Sequence, residues 1–467
     1  MLVSGADKRA VQIARQLEDE IIARGWPVGE VLGSETELQA RFGVSRSVLR
    51  EAIRLVEHHQ VGRMRRGRNG GLFVAAPDPG PATRALVIYL EFAGTSVEHL
   101  LQARLLLEPL AARLAAAAVT EEGIGPLRDA LEVEPARWDE WDPRSEDLHV
   151  TLGRSSGNVV LQLFVDVLIR LTSRSARALR PRPEEDVAAR HNDHARHVQI
   201  IEAVIAGDAA TAEITMADHL EQTTNWLIAN RAGRPAGRPL PRSSAPSAGA
   251  GRKLAEVMAD RIHDDIAADG WRVGDVLGSE TDLLHRYGVS RAALREAVRL
   301  LEHHGVAVMR RGPGGGLVVQ APDPTASIHT IALYLDYEGL SPADLRVVRE
   351  AIELGCIRAV TADGASPEGA DRLRAAVERA AELGDSGDVF HNELAELGGN
   401  PVLALFLRIS TELWARHSRT ERPATPAVAD EVRRVHEKIL DAVLAGDDGL
   451  AQHRMRRHLQ ALTAWWH

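Results

Sequence analysis

The sequence predicts a mainly α-helical protein that contains one two-domain unit twice. The stretch VSRSVLREAIRLVEHH at residues 44–59 returns as VSRAALREAVRLLEHH at 289–304, an offset of 245 (289−44). Helical periodicity of apolar residues recurs along both halves, and extended segments are confined to a short glycine-rich hairpin in each. Aromatic residues make up only 4%, which favours helices packed through leucine and alanine.

The repeat covers whole units rather than a short motif. Early matches keep the offset of 245, and later matches have a smaller one, which places the lost residues in loops. The early pairs are Gly25 with Gly270, Ser45 with Ser290, and Pro77 with Pro322; the later pairs are Asn158 with Asn400 (400−158 = 242) and His197 with His436 (436−197 = 239).

Each unit divides again at its Pro-Asp-Pro sequence, so the chain is predicted to have four domains and a linker. The linker RAGRPAGRPLPRSSAPSAGAG lacks apolar periodicity and is typical of an extended segment. The predicted boundaries are 1–76 for the first small domain, 77–230 for the first large domain, 231–251 for the linker, 252–321 for the second small domain, and 322–467 for the second large domain.

Composition limits the cellular setting. The single cysteine, Cys356, cannot form an intramolecular disulfide, which fits a reducing cytoplasm. No run of 18 apolar residues or signal peptide is visible. The sequence therefore predicts a cytoplasmic protein without a membrane partner.

Charge is unevenly distributed along the chain. The net charge is −10, but residues 41–68 carry eight arginines against two glutamates, and residues 286–313 carry six against two. Two basic segments in an acidic chain indicate two places where an anionic polymer could bind.

The small domains have the pattern of a helix-turn-helix. A first helix is predicted over about 7–24, with an apolar face of Val11, Ala14, Leu17, Ile21 and Ile22. Ser34 is placed to cap a second helix, with Glu37 as its capping-box partner, and Gly43 suits the tight turn after it.

Ser45 is placed to cap a third helix, which carries arginines on a face of its own. Arg46, Arg50 and Arg54 recur every four residues, away from the apolar stripe Val48, Ala52, Leu55 and Val56. Arginines on the second helix of such a pair can donate two hydrogen bonds to guanine or clamp phosphates. A solvated helix face is the usual meaning of such a row, but the capped helix, the glycine turn and a basic hairpin accompany it in both copies.

The hairpin follows the arginine helix directly. VGRMRRGRNGGLFVA in the first copy and VAVMRRGPGGGLVVQ in the second each place two short extended segments around a glycine-rich tip. This is the pattern of a basic wing that contacts the minor groove or the DNA backbone.

Together, GSETELQARFGVSRSVLREAIRLVEHHQV and RRGRNGGLFV resemble the winged helix-turn-helix of GntR-superfamily regulators, in both copies. The resemblance implies that Ser45, Arg46, Arg50 and the wing-tip Gly70 contact DNA, with Ser290, Arg291, Arg295 and Gly315 in the second copy. Thr36 and Thr281 stand where many relatives have arginine. Ser47-Val48 becomes Ala292-Ala293 in the second copy, so the two half-sites need not be identical.

The large domains resemble the FCD domain of the FadR branch of that superfamily, which implies two antiparallel all-α helical bundles. Arg104…Glu108-Pro109 and Arg349…Glu353 match the first FCD helix. The last two helices are matched by His197-x-x-Ile200-x-x-Ala203…Gly207-Asp208 with Met216-x-x-His219, and by His436-x-x-Ile439-x-x-Ala442…Gly446-Asp447 with Met455-x-x-His458.

Three histidines in each large domain are candidate metal ligands. The second and third are 22 residues apart in both copies (219−197, 458−436), and each lies on an apolar face. Three inward imidazoles can bind a divalent transition metal such as zinc, one per domain, which would anchor a carboxylate effector. The candidates are His149, His197 and His219 in the first domain and His391, His436 and His458 in the second.

Other interpretations of these residues stay open. Three hydrogen-bonded core histidines without metal are one alternative. Metal-binding relatives carry aspartate four residues before the first histidine, where this chain has Ser145 or Gly387, although Glu146 and Asp388 come next. Arg104 and Arg349 are candidates to bind an effector carboxylate, and a structural ion pair is the alternative for both.

The sequence thus predicts a ligand-responsive, sequence-specific DNA-binding regulator, a repressor rather than an enzyme. Its partners would be a pseudo-palindromic operator and a small effector, and the duplication would make one chain a fused pseudo-dimer. Three alternatives remain: an apolar or acyl-CoA-like effector without metal, a metal-dependent enzyme with a DNA-binding module, and one degenerate reading head. Association of two chains into a further homodimer also remains open.

Overall fold

The structure is a computed structural model that describes residues 5–65, 67, 70–77, 79–134, 148–179, 183–230, 254–310, 312, 314–322, 324–364, 366–382, 388–417 and 426–462. The predicted linker at 231–251 lies outside these residues. The chain forms two compact units, Met1–Ala85 with Asp323–Leu340, and Leu86–Pro322 with Ser341–His467. Both units mix residues from the two halves of the chain.

The first half contains ten helices and three strands within the described residues. They are α1 (Gly5–Ala23), β1 (Val31–Gly33), α2 (Glu35–Phe42), α3 (Arg46–His58), β2 (Gly62–Arg65), β3 (Gly71–Val74), α4 (Pro79–Phe92), α5 (Val97–Ala118), α6 (Glu121–Val133), α7 (Leu148–Ser155), α8 (Val159–Leu179), α9 (Pro183–Ile205) and α10 (Ala209–Asn230).

The second half repeats this order. Its elements are α11 (Leu254–Ala268), α12 (Glu280–Tyr287), α13 (Arg291–His303), β4 (Ala307–Arg310), β5 (Gly316–Val319), α14 (Pro324–Tyr337), α15 (Pro342–Asp363), α16 (Pro367–Glu382), α17 (Asp388–Leu397), α18 (Pro401–His417), α19 (Pro426–Leu444) and α20 (Asp448–Leu462). A single antiparallel bridge between Val276 and Val318 takes the place of β1. The predicted mainly α fold, with two winged domains and two helical bundles, is confirmed.

Each winged domain consists of three helices and an antiparallel β-hairpin. In the first, β3 lies between β1 and β2, and Met64 pairs with Leu72. In the second, Met309 pairs with Leu317. The expected apolar face of α1 is wrong at one position, because Val11 is 40% exposed and Ile13, at 1%, takes its place in the core.

The expected helix caps of the first winged domain are present. Ser34 and Glu37 form the capping box of α2, which ends at Gly43 in the left-handed conformation, with φ of 61°. A residue with a Cβ would be strained there. The side chain of Ser45 accepts a hydrogen bond from the backbone N–H of Val48, which starts α3. Sequence-local hydrogen bonds therefore fix where the arginine-bearing helix begins.

The helix that follows each winged domain in sequence packs against the winged domain of the other half. In the first compact unit, Leu333 of α14 lies in the core of the first winged domain, and the rings of Tyr337 and Trp26 are 5.4 Å apart. In the second unit, Ile88 of α4 lies in the core of the second winged domain. The equivalent aromatic pair there is Phe92 with Trp271, 5.6 Å apart. The sequence did not predict this exchange.

The two helical bundles contact each other within the second compact unit, through equivalent residues. Phe164 and Phe406, at matched positions (406−164 = 242), stack with ring centroids 3.8 Å apart and planes 7° from parallel. The contacts beside them are reciprocal: Asn158 Nδ2 donates to the Asp344 carbonyl oxygen at 3.0 Å, and Asn400 Nδ2 donates to that of His99 at 2.9 Å. A residue that meets its own equivalent is the mark of a local pseudo-twofold axis.

No helix within the described part of the chain is long and apolar enough to span a bilayer.

Candidate nucleic-acid interface and metal centres

The predicted DNA-contacting arginines of the first copy lie on the surface of α3. The side chains of Arg46 and Arg50 are 65% and 55% exposed, while the opposite face of α3 buries Leu49, Ala52 and Val56. The buried face fixes the position of the helix, and the arginine side chains extend from it toward solvent.

A glutamate that the sequence interpretation missed holds these two arginines. Glu35 Oε1 accepts hydrogen bonds from Arg46 Nε at 2.9 Å and from Arg50 Nε at 2.8 Å. The two hydrogen bonds lower the pKa of the Glu35 carboxyl to about 2. The carboxylate binds Nε in each case, which leaves the terminal nitrogens of both arginines to reach outward.

The same arrangement recurs in the second copy. Arg295 Nε donates to Glu280 Oε1 at 3.0 Å, and Arg291 Nε lies 3.5 Å from the same oxygen. Ser290 caps α13 as Ser45 caps α3. Both copies carry Ser-Glu-Thr at the start of the second helix, and that repeated glutamate is the signal which could have identified the contact.

The wing-tip glycines have a structural reason of their own. A Cβ at Gly70 would overlap the Arg65 carbonyl oxygen, and one at Gly315 would overlap that of Arg310. Each glycine N–H closes the tip by donating to a carbonyl three residues earlier, at 3.0 Å in the first copy and 2.9 Å in the second. The turn geometry therefore requires glycine at both positions, and contact of Gly70 and Gly315 with DNA stays a prediction.

The predicted histidines of the first bundle converge. His149 on α7, His197 on α9 and His219 on α10 are all buried, and one nitrogen from each lies within 4.8 Å of the others. The Nε2 atoms of His197 and His219 are 3.2 Å apart. Three separate helices thus bring their imidazoles to one point.

The second bundle has the same arrangement. His391 on α17, His436 on α19 and His458 on α20 are buried and converge within the same limit. His458 Nε2 lies 3.1 Å from Nε2 of both His391 and His436. The sequence analysis predicted this set of histidines in both copies from their apolar faces, the repeated spacing of the last two and the resemblance to FCD helices.

These centres fit a divalent transition metal. Two nitrogens bound tetrahedrally to zinc at about 2.0–2.1 Å lie roughly 3.3 Å apart, close to the observed separations of 3.1 and 3.2 Å. Burial lowers the pKa of His219 to about 2 and holds the pKa values of His391, His436 and His458 well below the ordinary value. Neutral imidazoles keep the lone pairs that a metal requires.

Both candidate effector arginines form buried ion pairs. Arg104 Nε donates to Glu108 Oε1 at 2.5 Å, and Arg349 Nε donates to Glu353 Oε1 at 2.6 Å. These glutamates also accept from His149 and His391, so each arginine supports a histidine. Arg349 Nη1 is buried without a hydrogen-bond partner among the described residues. The structural ion pair is present in both copies, and contact with an effector stays a prediction.

Of the four residues that precede the first histidine of each triad and were considered as further metal ligands, only Asp388 lies in the described part of the chain. Ser145, Glu146 and Gly387 lie outside the described residues. Asp388 lies 3.5 Å from Arg349 Nη2. Among the described residues, the donors that converge in each bundle are the three histidines.

Two capped, arginine-bearing winged helices joined to two helical bundles with buried histidines define a transcription regulator with sensory domains. The FCD domain profile matches residues 99–222 and 344–461, and the profile of bacterial regulatory proteins of the gntR family matches 9–74 and 254–318. The chain belongs to the GntR family of regulators, with an FCD domain in each half. Regulators of this kind bind DNA and respond to small molecules.

The relatives match about half of this chain along most of their own length. The candidate L-lactate dehydrogenase operon regulatory protein of Escherichia coli K12 is 30% identical over 44% of this chain and 84% of its own length. The Exu regulon transcriptional regulator of the same strain is 31% identical over 46% and 83%. The repressor NanR of E. coli K12 is 28% identical over 46% and 85%.

One solved structure among the similar chains is Streptococcus agalactiae GntR, 22% identical, covering 46% of this chain and 99% of that one, with a TM-score of 0.34. The relatives are transcriptional regulators, which confirms that the chain is a regulator rather than an enzyme.

Proposed function

We propose that this chain is a ligand-responsive repressor in which one polypeptide supplies both halves of a dimer. The observation that supports this most strongly is the self-pairing of Phe164 with Phe406, flanked by the reciprocal contacts of Asn158 and Asn400. Homodimers form such isologous contacts between two chains. Here one chain forms them internally, so each chain carries two reading heads for one two-part operator.

Both heads are proposed to read DNA. The glutamate-held arginines and the capped recognition helix are present in α3 and α13 alike. Exposed guanidinium groups with free terminal nitrogens suit bidentate contacts to guanine in the major groove. The preserved geometry of the second head favours two active heads over one degenerate head.

The bundles are proposed to bind a small carboxylate through a divalent metal held by the histidine triads. Each triad offers three imidazole nitrogens, so a metal there retains open coordination positions for a ligand. The helices α4 and α14 are proposed to link effector binding to DNA binding. Each precedes the bundle of its own half in sequence and packs against the winged domain of the other half. An effector would act by favouring one placement of these helices.

Selection of DNA from a random pool tests the DNA-binding proposal. The expected result is a bipartite, nearly symmetric site whose affinity falls with rising salt. Small carboxylates, beginning with lactate in view of the first relative's description, are then screened for release of the chain from that site in the presence of zinc. Failure to enrich any site would contradict the DNA-binding proposal. Release of the chain by an acyl-CoA without metal would contradict only the proposal of a metal-bound carboxylate effector.

A further inference from the structure

The two histidine centres have equivalent donors but different surroundings. In the first bundle, a carboxylate lies on the Nδ1 side of every imidazole. The pairs are His149 with Glu108 at 2.5 Å, His197 with Glu134 at 2.6 Å, and His219 with Asp193 at 3.8 Å. The first two are hydrogen bonds, whereas the third is too long for one, and His219 Nδ1 is buried without a hydrogen-bond partner among the described residues.

The second bundle has fewer such partners. His391 Nδ1 is hydrogen-bonded to Glu353. Among the described residues, His436 Nδ1 is buried and has no hydrogen-bond partner. The ring of His436 instead stacks on Phe390, with centroids 4.7 Å apart and planes 22° from parallel. An aromatic face holds this imidazole in place but offers its Nδ1 no strong acceptor.

The two centres differ in sequence at two matched positions. Leu127 and Leu373, both fully buried, align α6 with α16 at an offset of 246 (373−127). At the same offset, Ala380 stands where the first copy has Glu134 (380−134). Along α9 and α19 the offset is 239, so Val432 stands where the first copy has Asp193 (432−193). The second copy therefore has no carboxylate at either matched position.

This difference bears directly on metal binding. A histidine that binds metal through Nε2 carries its proton on Nδ1. In the first centre His197 donates that proton to Glu134, which fixes the tautomer and makes the imidazole a stronger ligand. In the second centre the matched histidine, His436, would bury this N–H without an acceptor among the described residues, which makes it a weaker ligand than His197.

We propose that the duplicated centres have diverged, and that the first bundle holds a divalent transition metal more tightly than the second. Loss of a carboxylate behind a metal-binding histidine lowers metal affinity roughly 10- to 100-fold, and that is the expected ratio of the two dissociation constants. The inference rests on the proposed role of the triads as metal sites. It makes the first bundle the sensor that is loaded first.

The experiment uses two full-length variants that each keep one centre. His458→Ala keeps the first triad, and His219→Ala, at the matched position (458−219 = 239), keeps the second. Cobalt(II) is the probe, followed by its visible absorbance during competition with a chelator. His458→Ala is expected to retain cobalt at chelator concentrations that strip His219→Ala, with a 10- to 100-fold ratio of Kd.

A second pair of variants alters only the carboxylate, in case the alanine variants fold poorly. With all six histidines present, the native chain should titrate cobalt in two phases. Glu134→Gln should merge the two phases by weakening the first centre. Ala380→Glu should merge them by strengthening the second. Circular dichroism and thermal melting of each variant verify that the fold is intact.

The cobalt titrations distinguish divergence of the two centres from metal binding itself. Equal cobalt affinities in the two single-centre variants, or tighter binding by His219→Ala, would overturn the divergence and leave the metal proposal in place. If neither variant nor the native chain binds cobalt, the metal part of the proposed function fails, and the inference with it.

Discussion

The two winged domains hold the arginines of their recognition helices in the same way, whereas the two helical bundles differ around their histidines. In both winged domains a serine caps the recognition helix and one glutamate holds two arginines. In the bundles, Glu134 and Asp193 of the first copy have become Ala380 and Val432 in the second. An operator with two half-sites requires two matching heads, but one sensor suffices to shift a shared equilibrium. In the proposed function the two reading heads must therefore match, while the two metal centres can differ.

The largest expected effect comes from removing the arginines of one head. Arg46→Ala with Arg50→Ala should lower specific DNA affinity on the order of 100-fold or more, because each bidentate base contact contributes about 1–3 kcal/mol. The matched pair Arg291→Ala with Arg295→Ala should lower it by a similar factor. Fluorescence anisotropy on the selected site, at one fixed salt concentration, measures both. If only one of the two double variants lost specific DNA affinity, the other winged domain would not read DNA and the two heads would not be equivalent.

The stacked phenylalanines should respond equally to truncation. Phe164→Ala and Phe406→Ala each remove a fully buried ring from the same contact, so each should destabilise the bundle pair by about 3–5 kcal/mol. The double variant should lose less than the sum, since the two rings share one interaction. Guanidinium unfolding curves give these values. A twofold or larger difference between the single variants would argue against local pseudo-symmetry.

Glu18 distinguishes the first winged domain from the second, because His263 takes the matched place there (263−18 = 245). Glu18 is 1% exposed and is bonded to His59 at 2.6 Å and to His329 at 2.8 Å. Burial raises the pKa of the Glu18 carboxyl, but its bonds to the two histidines outweigh this and lower it to about 2.

Because the folded pKa of Glu18 lies below the ordinary 4.5, its stabilisation is complete above about pH 4.5 and is lost as pH falls toward 2. Glu18→Gln should therefore destabilise the fold at pH 7 by at most about 3 kcal/mol, and the deficit should shrink below pH 4.5. Thermal melts between pH 7 and pH 3 follow it. The exposed Glu51→Gln is the control and should show little change; a deficit independent of pH would contradict the ion-pair account.

The smallest expected effect concerns the glutamate that holds the arginines. Glu35→Gln removes one negative charge beside DNA and loosens Arg46 and Arg50. It should raise affinity for random-sequence DNA a few-fold while lowering the ratio of specific to random binding. Glu280→Gln should behave in the same way. An unchanged ratio in both variants would show that the glutamates do not position the arginines for reading.

Features set by local hydrogen bonding or by repeated spacing were predictable from the sequence. The caps at Ser34 and Ser45 follow from local backbone chemistry. The histidine centres were predictable because their histidines lie on apolar helix faces and because the separation of 22 residues between the last two recurs in both copies.

Contacts between distant segments were not predictable. The exchange of α4 and α14 between winged domains depends on which of two nearly identical surfaces each helix meets, and a single sequence holds no signal for that choice. The carboxylate of Glu134 lies 63 residues from His197 in the chain, so no helical periodicity connects the two. Val11 was misplaced because α1 buries the neighbouring Ile13 face, which only tertiary packing defines.

The mass of the complex on the selected operator tests the central claim most directly. Native mass spectrometry of the chain with a DNA duplex carrying both half-sites counts the chains bound. If one polypeptide replaces a dimer, the complex contains one chain of 50.8 kDa per duplex, and cutting the duplex to a single half-site lowers affinity sharply. Two chains on each two-part duplex, with full affinity for a single half-site, would contradict the fused pseudo-dimer.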